Sequence, residues 1–187
     1  AHAFEVCRQD GFAAAGGVVD ADTVVAQNLL NAFADRLGRG AMAAQAHYGV
    51  RNPLASWRTR LMTIALALFH TVRSLGRERL GVSCGLRGNG MCFSAQLLRE
   101  VPHDAFSVVE DLEFGIRLGR AGHRVWYVDE ASVLGEMVSS ERASVSQRRR
   151  WEQGRGQLAR SLGPAVLKEA LARRSALLLD LALDLLV

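Results

Sequence analysis

The stretch VVDADTVV, residues 18–25, places two carboxylates one residue apart directly after a short apolar run. The small and apolar residues at 12–19 predict a short buried strand, which the aspartates end. Apolar residues then recur at helical spacing from Val24 to Leu37, and Gly38 marks the expected end of that helix. A strand, an acidic turn and a helix in this order are typical of an α/β domain.

Asp20 and Asp22 allow two interpretations. Hard divalent cations such as Mg²⁺ and Mn²⁺ prefer oxygen ligands, and open α/β sheets bind ligands at the carboxyl ends of their strands, so the pair could hold a metal ion. Alternatively, Asp22 or Thr23 only caps the helix expected from Val24. A D-x-D triplet does not decide between the two by itself.

Helices and strands alternate along the rest of the chain. The hydrophobic pattern predicts strands at 41–50 and 124–128, and helices at 54–80, 110–120 and 144–160. This alternation favours an α/β layer architecture over an all-α bundle. The helix at 54–80 is expected on the surface, with one apolar face formed by Trp57, Leu61, Ile64, Leu68 and Val72.

The composition indicates a folded domain with an arginine-rich surface. The chain has 187 residues, of which 49% are hydrophobic, and this is enough to bury an ordinary core. The net charge of +4 comes almost entirely from arginine, since Lys168 is the only lysine, and arginine is the better bidentate partner for phosphate. Three cysteines, Cys7, Cys84 and Cys92, form no C-x-x-C pair, which argues against a disulfide framework or a zinc knuckle.

Glu110 and Asp111 stand at the start of the predicted helix in VVEDLEFGIRL, residues 108–118. A carboxylate there could act as a general base for a substrate hydroxyl. Ser107 and Glu110 also have the spacing of a capping box, which would give Glu110 a structural role. That alternative gives Asp111 no structural role beyond its favourable position near the N-terminus of the helix dipole.

A basic helix carries Gln147, Arg150 and Trp151 in QRRRW, at positions i, i+3 and i+4 and therefore on one face. An amide, a guanidinium and an indole side by side can bind a diphosphate and stack on a sugar ring. Basic helices also meet nucleic acid or simply face solvent. Because Trp151 is the only aromatic residue in this basic run, aromatic and basic residues do not alternate along it, which argues against nucleic-acid binding.

Glycines at 85, 88 and 90 fall in the sequence GVSCGLRGNG, residues 81–90. They permit positive φ or a close approach of backbone to a ligand, or they are plain turn glycines.

The C-terminal run SALLLDLALDLLV begins at Ser175 and is too short to span a bilayer as it stands. Either it is an amphipathic helix with Asp180 and Asp184 on its wet face, or it is the beginning of a membrane-associated segment.

Taken in order, VVDADT, GNGMCFS, VVEDLEFGIRLGRAGHRV and QRRRW resemble the family 2 glycosyltransferases, particularly the membrane-associated branch with cellulose, chitin and hyaluronan synthases. The resemblance runs from Gly17 to Gln157. It implies the α/β nucleotide-diphosphosugar transferase fold of the GT-A type. It also implies that a sugar is transferred with inversion, in one displacement, to a hydroxyl acceptor.

The resemblance assigns a role to each motif. Asp22 would coordinate Mg²⁺ or Mn²⁺ with help from Asp20, and Asp111 would be the base, accompanied by Glu110. The helix dipole should lower the pKa of Asp111. Substrate binding would fall to Gly88, Asn89 and Gly90 near the acceptor, and to Gln147, Arg150 and Trp151 over the diphosphate and the acceptor sugar.

The expected partners are a nucleotide-diphosphosugar donor, of which a UDP-sugar is the first choice, and a carbohydrate or lipid-linked acceptor, without nucleic acid. We expect the chain to be a fragment of a hexosyltransferase and to be inactive by itself. The whole enzyme would lie at the inner or plasma membrane, with its catalytic domain on the cytoplasmic side. Residues 1–160 would form the partial catalytic domain, lacking N-terminal strands. Residues 161–187 would form an amphipathic or juxtamembrane helix. The alternatives are an arginine-rich phosphate- or nucleic-acid-binding module and an inactive glycosyltransferase-like scaffold.

Overall fold

The computed structural model describes residues 13–103, 109–137 and 141–186, and the backbone alone for 141–148. Five strands occur in this part of the chain: β1 (Ala15–Val18), β2 (Val24–Val25), β3 (Ala43–Val50), β4 (Met91–Ser94) and β5 (Val125–Gly135). The α-helices are α1 (Leu29–Gly38), α2 (Trp57–Leu66), α3 (Arg73–Arg79), α4 (Ala95–Glu100), α5 (Glu110–Arg120), α6 (Glu141–Arg173) and α7 (Ala176–Leu186), with a π-helical segment (Ala67–Val72) between α2 and α3.

The strands form one mixed sheet in the order β1, β4, β3, β5, β2. Strands β3 and β5 pair in parallel at its centre, whereas β4 pairs antiparallel with β3 and β1, and β2 pairs antiparallel with β5. The β3–β5 register shifts between Ala46 and His47, as at a β-bulge. The carboxyl ends of the two central strands therefore lie at one edge, where α/β sheets bind ligands.

Apolar side chains cover both faces of the sheet. On one face, Phe93 packs edge to face on Phe114 of α5, with a ring-centroid distance of 5.3 Å. On the other face, Leu29 and Phe33 of α1 pack on Ala44 and other small or branched strand residues. Helices on both faces of a sheet confirm the predicted α/β fold.

The predicted helix from Val24 begins later than the sequence suggests. Val24 and Val25 form β2, paired with Leu134 and Val133 of β5, and α1 begins at Leu29. The interpretation of Asp22 or Thr23 as its cap is therefore wrong. Two β-branched residues fit a strand better than a helix end, and the pairing with β5 is not visible in local sequence.

The long helix predicted at 54–80 is present from Trp57 to Arg79 but contains the π-helical segment. Ser56 caps it, since its side chain accepts a hydrogen bond from the Thr59 N–H at 3.1 Å and the Thr59 side chain closes a capping box. The apolar face is exposed as expected, at 64% for Trp57 and 60% for Leu68. Sequence reasoning missed strand β4 and stopped β5 seven residues early, at 128 instead of 135.

Helix α7 packs on α5 and α6 through an apolar cluster that includes Ile116, Val166, Leu178 and Leu185. Its aspartates face inward: Asp184, 6% exposed, pairs with Arg73 and Arg77, and Asp180 pairs with Arg77. The expectation of two aspartates on a wet face is wrong for this reason. No helix in the described part of the chain has the length and apolar character needed to cross a membrane.

Gly90 and Gly81 form a matched pair of glycines, both with φ of +70°. At Gly90 an added Cβ would lie 2.6 Å from Cγ2 of Val133, whereas at Gly81 nothing lies within 4 Å. We expect each Gly→Ala change to cost about 1–2 kcal/mol of unfolding free energy for the left-handed backbone. Gly90→Ala should cost about 1–3 kcal/mol more for the overlap. Urea unfolding of both variants tests this, and equal losses would contradict the packing.

Candidate active site

A cavity of about 460 Å³ lies where the carboxyl ends of β1, β3 and β5 meet the N-terminus of α5. It is roomy enough for a small-molecule substrate. Its wall collects the predicted residues Asp20, Asp22, Gly88, Asn89, Glu110, Asp111 and Trp151. These come from four separate parts of the sequence.

Asn89 holds the acidic turn in place. The backbone N–H of Asp20 donates to Oδ1 of Asn89 at 3.2 Å, and Nδ2 of Asn89 donates to the Thr23 hydroxyl at 2.8 Å. Asn89 is 1% exposed, so neither bond competes with bulk water. Thr23 thus anchors the turn on the glycine-rich segment at residues 85–90, the glycine loop, instead of capping a helix, and Asp20 and Asp22 face the cavity.

Gln45 of β3 in turn holds the glycine loop. Its Oε1 accepts from the backbone N–H of Arg87 at 2.9 Å, and its Nε2 donates to the carbonyl of Asn89 at 2.8 Å. The side chain is 1% exposed, and a buried amide left unpaired would cost about 1–3 kcal/mol. The loop is therefore fixed by the centre of the sheet.

Glu110 and Asp111 occupy the first turn of α5, and the N-cap is Val109, which makes no side-chain cap bond. The predicted capping box at Glu110 is wrong, since Glu110 is the first helical residue and not the third; Ser107 lies outside the described residues. Oδ1 of Asp111 accepts from the N–H of Leu112 at 2.8 Å. An added Cβ at Gly88 would lie 3.6 Å from Oδ2 of Asp111, so the loop backbone passes close to this carboxylate.

Burial raises the pKa of the Asp111 carboxyl, and the neighbouring Glu110 raises it further, while the N–H of Leu112 and the Arg87 guanidinium act in the opposite direction. The predicted lowering of this pKa is therefore wrong: loss of hydration outweighs the helix dipole. Burial also raises the pKa of Asp20, with contributions from Asp22 and Glu110. Negative charge is thus concentrated at one side of the cavity.

The acidic turn fits a divalent cation that is shared with a substrate. Among the described residues, no group of three or more acidic, histidine or cysteine side chains could hold an ion alone. Mg²⁺ is commonly bound by only one or two carboxylates together with substrate phosphates. Asp20 and Asp22 can supply those carboxylates, and their mutual repulsion would be relieved by a cation.

Helix α6 contributes Trp151 and, one turn later, Arg155 to the cavity wall. Trp151 is 51% exposed, so its indole is available to a ligand. Arg150 is exposed and outside the cavity, and the side chain of Gln147 lies outside the described residues. Gly90 is buried and does not line the cavity either; it lies against Val133.

Sequence reasoning missed several residues of the wall. Arg155 follows Trp151 at i+4 and could have been found from that spacing. Arg87 stands within the glycine loop, and a polar Gln45 inside an otherwise apolar strand signalled an internal role. No local signal marked His70, whose pKa burial lowers to about 3, so that it lines the cavity as a neutral ring.

A mixed sheet with helices, an acidic turn after a strand and a cavity at the carboxyl edge are consistent with a GT-A-like glycosyltransferase domain. The model of Glycosyl transferase family group 2 matches residues 18–184. The chain belongs to this family, and it is a glycosyltransferase domain that uses a nucleotide-sugar donor. No curated protein sequence matches the chain at a significant level. The family match confirms the predicted family 2 glycosyltransferase.

The raised pKa of Asp111 predicts that its charge destabilises the fold. The folded state holds the proton more tightly than the unfolded state, so stability falls as pH rises from the ordinary carboxyl value, near 4, through the folded pKa. Asp111→Asn should therefore raise the urea midpoint at pH 7 in metal-free buffer, and the gain should vanish below about pH 4.

Glu113→Gln is the control, because Glu113 lies in the same helical turn but outside the cavity. A gain for Asp111→Asn that persisted at low pH would show that the effect is not electrostatic.

Proposed function

We propose that the domain transfers a hexosyl group, with inversion, from a nucleotide-diphosphosugar to an acceptor hydroxyl. One observation carries this proposal: a single cavity brings the acidic turn, the glycine loop, the Glu110–Asp111 pair and Trp151 together. Each can serve a different part of the substrates, and their order in the chain is that of the family motifs. A phosphate-binding module would not require a desolvated carboxylate beside a sugar-sized cavity.

Asp111 is the proposed general base. It takes the proton of the acceptor hydroxyl as that oxygen attacks the anomeric carbon, while the bond between the sugar and the diphosphate breaks on the opposite side. A positioned base typically contributes about 10² to 10⁴ in rate. Because burial raises its pKa, Asp111 is a stronger base than a solvated aspartate. The hydrogen bond from Leu112 fixes its orientation.

Asp22 is the proposed principal ligand of Mg²⁺ or Mn²⁺, with Asp20 assisting. When bound, such an ion neutralises charge on the nucleoside diphosphate as it leaves. The chain positions the ligands of this ion. Two hydrogen bonds of Asn89, with the Asp20 N–H and with the Thr23 hydroxyl, hold the backbone of the turn next to the cavity.

Trp151 is the proposed platform for a sugar ring, since the residue is 51% exposed and lines the cavity. We retain Gln147 and Arg150 as ligands of the diphosphate. For Arg150, which is exposed outside the cavity, that role requires α6 to move when the donor binds. Gly88 leaves room for the acceptor next to Asp111.

We further propose that the donor is a UDP-sugar and that the acceptor is a carbohydrate or is lipid-linked. The enzyme would be attached to the cytoplasmic side of the inner or plasma membrane. Two features support a membrane-associated enzyme: the ordered motifs of that branch and the exposed apolar face of α2 with the π-helical segment, from Trp57 to Val72.

Replacing the base should abolish transfer without removing the donor. We expect Asp111→Asn to lower the transfer rate by about 10² to 10⁴, while UDP affinity stays within about twofold of the original. Nucleoside diphosphate release and calorimetric UDP titration measure the two effects. Glu113→Gln should keep both, and an Asp111→Asn enzyme with full turnover would refute the assignment.

Removing the metal ligand should have the complementary effect. Asp22→Asn should weaken UDP binding in the presence of Mn²⁺ about tenfold or more, and without Mn²⁺ the variant and the original protein should bind UDP alike. Asp35→Asn on the exposed face of α1 is the control. Equal Mn²⁺ dependence in the variant and the original protein would exclude Asp22 as the ligand.

A further inference from the structure

Most positive and negative side chains occupy different sides of the cavity, and the exception is Asp184, which lies on the side of the arginines. Asp20, Asp22 and Glu110 lie on the side of the β1 turn, where their charges influence one another. Arg87 and Arg155 line the same cavity on the side of the π-helical segment, α6 and α7. Asp111 lies between the two sides, because Glu110 and Arg87 both influence its carboxyl.

Arg87 is a desolvated cation without a carboxylate partner among the described residues. Its Nη2 donates to the carbonyl of Cys84 at 3.0 Å, its guanidinium carbon lies 5.3 Å from the centre of the Phe69 ring, and its buried Nε has no partner within the described chain. Burial lowers its pKa, which reports the cost of keeping this charge out of water. A guanidinium held in this way is prepared for an anion from outside the protein.

Arg155 presents a second guanidinium to the cavity. Its Nη2 donates to the backbone carbonyl of Asp184 at 2.5 Å, and no ion pair of Arg155 is found among the described side chains. The carboxylate of Asp184 is already taken by Arg73 and Arg77, so it does not neutralise Arg155. The arginines behind the wall are thus paired internally, whereas the two in the wall are not.

We infer that the acceptor carries an anionic group, a phosphate or a carboxylate, which Arg87 and Arg155 bind beside Asp111. This inference rests on the proposed function, in which the donor diphosphate occupies the acidic turn through a cation. Asp111 then lies between the donor at the acidic turn and the pair Arg87 and Arg155, so the molecule next to these two arginines is the one whose proton Asp111 takes. A neutral glycan would bring no counter-charge to either guanidinium.

Binding measurements with matched probes test this inference without turnover. The probes are citronellyl phosphate against citronellol for a lipid-linked phosphate, and methyl glucuronide against methyl glucoside for an acidic sugar. We expect the original protein to bind one anionic probe at least about tenfold more tightly than its neutral partner, since a charge-assisted bidentate contact is worth roughly the 1.4 kcal/mol of that ratio.

Arg87→Gln and Arg155→Gln should each remove most of this preference, and Arg87→Lys should restore part of it. UDP affinity should not change in any of them. Arg79→Gln, at the exposed end of α3 and outside the cavity, is the control and should keep the preference. Because Arg155 is only partly buried, its variant provides the test if Arg87→Gln does not fold.

Two results would overturn the inference. One is the absence of any preference for either anionic probe in the original protein. The other is a loss of UDP affinity in the arginine variants with the probe preference intact, which would assign the arginines to the donor diphosphate.

If the arginine-dependent preference is found but no nucleotide-sugar is bound or consumed, the anion site stands and the proposed transfer fails. If a nucleotide-sugar is consumed but neither anionic probe is preferred to its neutral partner, the proposed transfer stands and the anion site fails.

Discussion

The amide of Gln45 is the constraint on which the site depends. It lies in the central strand β3, fully buried, and its two ends reach the backbone on both sides of Gly88. The loop so fixed carries Asn89, whose own amide fixes the acidic turn. The side-chain amides of Gln45 and Asn89 therefore link the sheet to the turn that contains Asp20 and Asp22, the candidate metal ligands. A side chain without the amide geometry could not satisfy both loop groups at once.

Charge in the site is set by burial as much as by neighbours. Asp111 stands at a helix N-terminus, where the dipole favours an anion, yet the loss of water dominates and its pKa rises. The same cost applies to Arg87 with the opposite sign. The cavity thus contains a carboxylate, Asp111, and a guanidinium, Arg87, whose charged forms are both disfavoured by burial. Each charge stabilises the other only in part. Substrates that bring the missing charges would release this cost on binding.

Local sequence was sufficient for the parts of the site that depend on local structure. The acidic turn after a strand, the carboxylates in the first turn of α5 and Trp151 of α6 follow from spacing alone and line the cavity, whereas Arg150 of the same predicted face lies outside it. The family resemblance supplied their order. The predicted α/β class, β3 and the helix α5 are confirmed by the structure.

The errors concern contacts between distant residues. Val24 joins a strand because Leu134 is beside it, and Asp184 is buried because two arginines more than a hundred residues earlier receive it. Neither partner could be identified from one sequence. Arg87 and Gln45 were overlooked for the same reason, since their importance comes from what surrounds them in the fold.

The residues of the cavity wall range from Asp20 to Asp184, which lies in α7. On the ribosome, β1, the glycine loop and α5 all leave the exit tunnel before the helix that completes the wall. Domains fold largely as units during synthesis, and contacts between distant residues form late. The complete cavity wall therefore forms only after α7 has been synthesised, and a nascent chain that stops before α7 has the acidic turn without the Asp184 side of the wall.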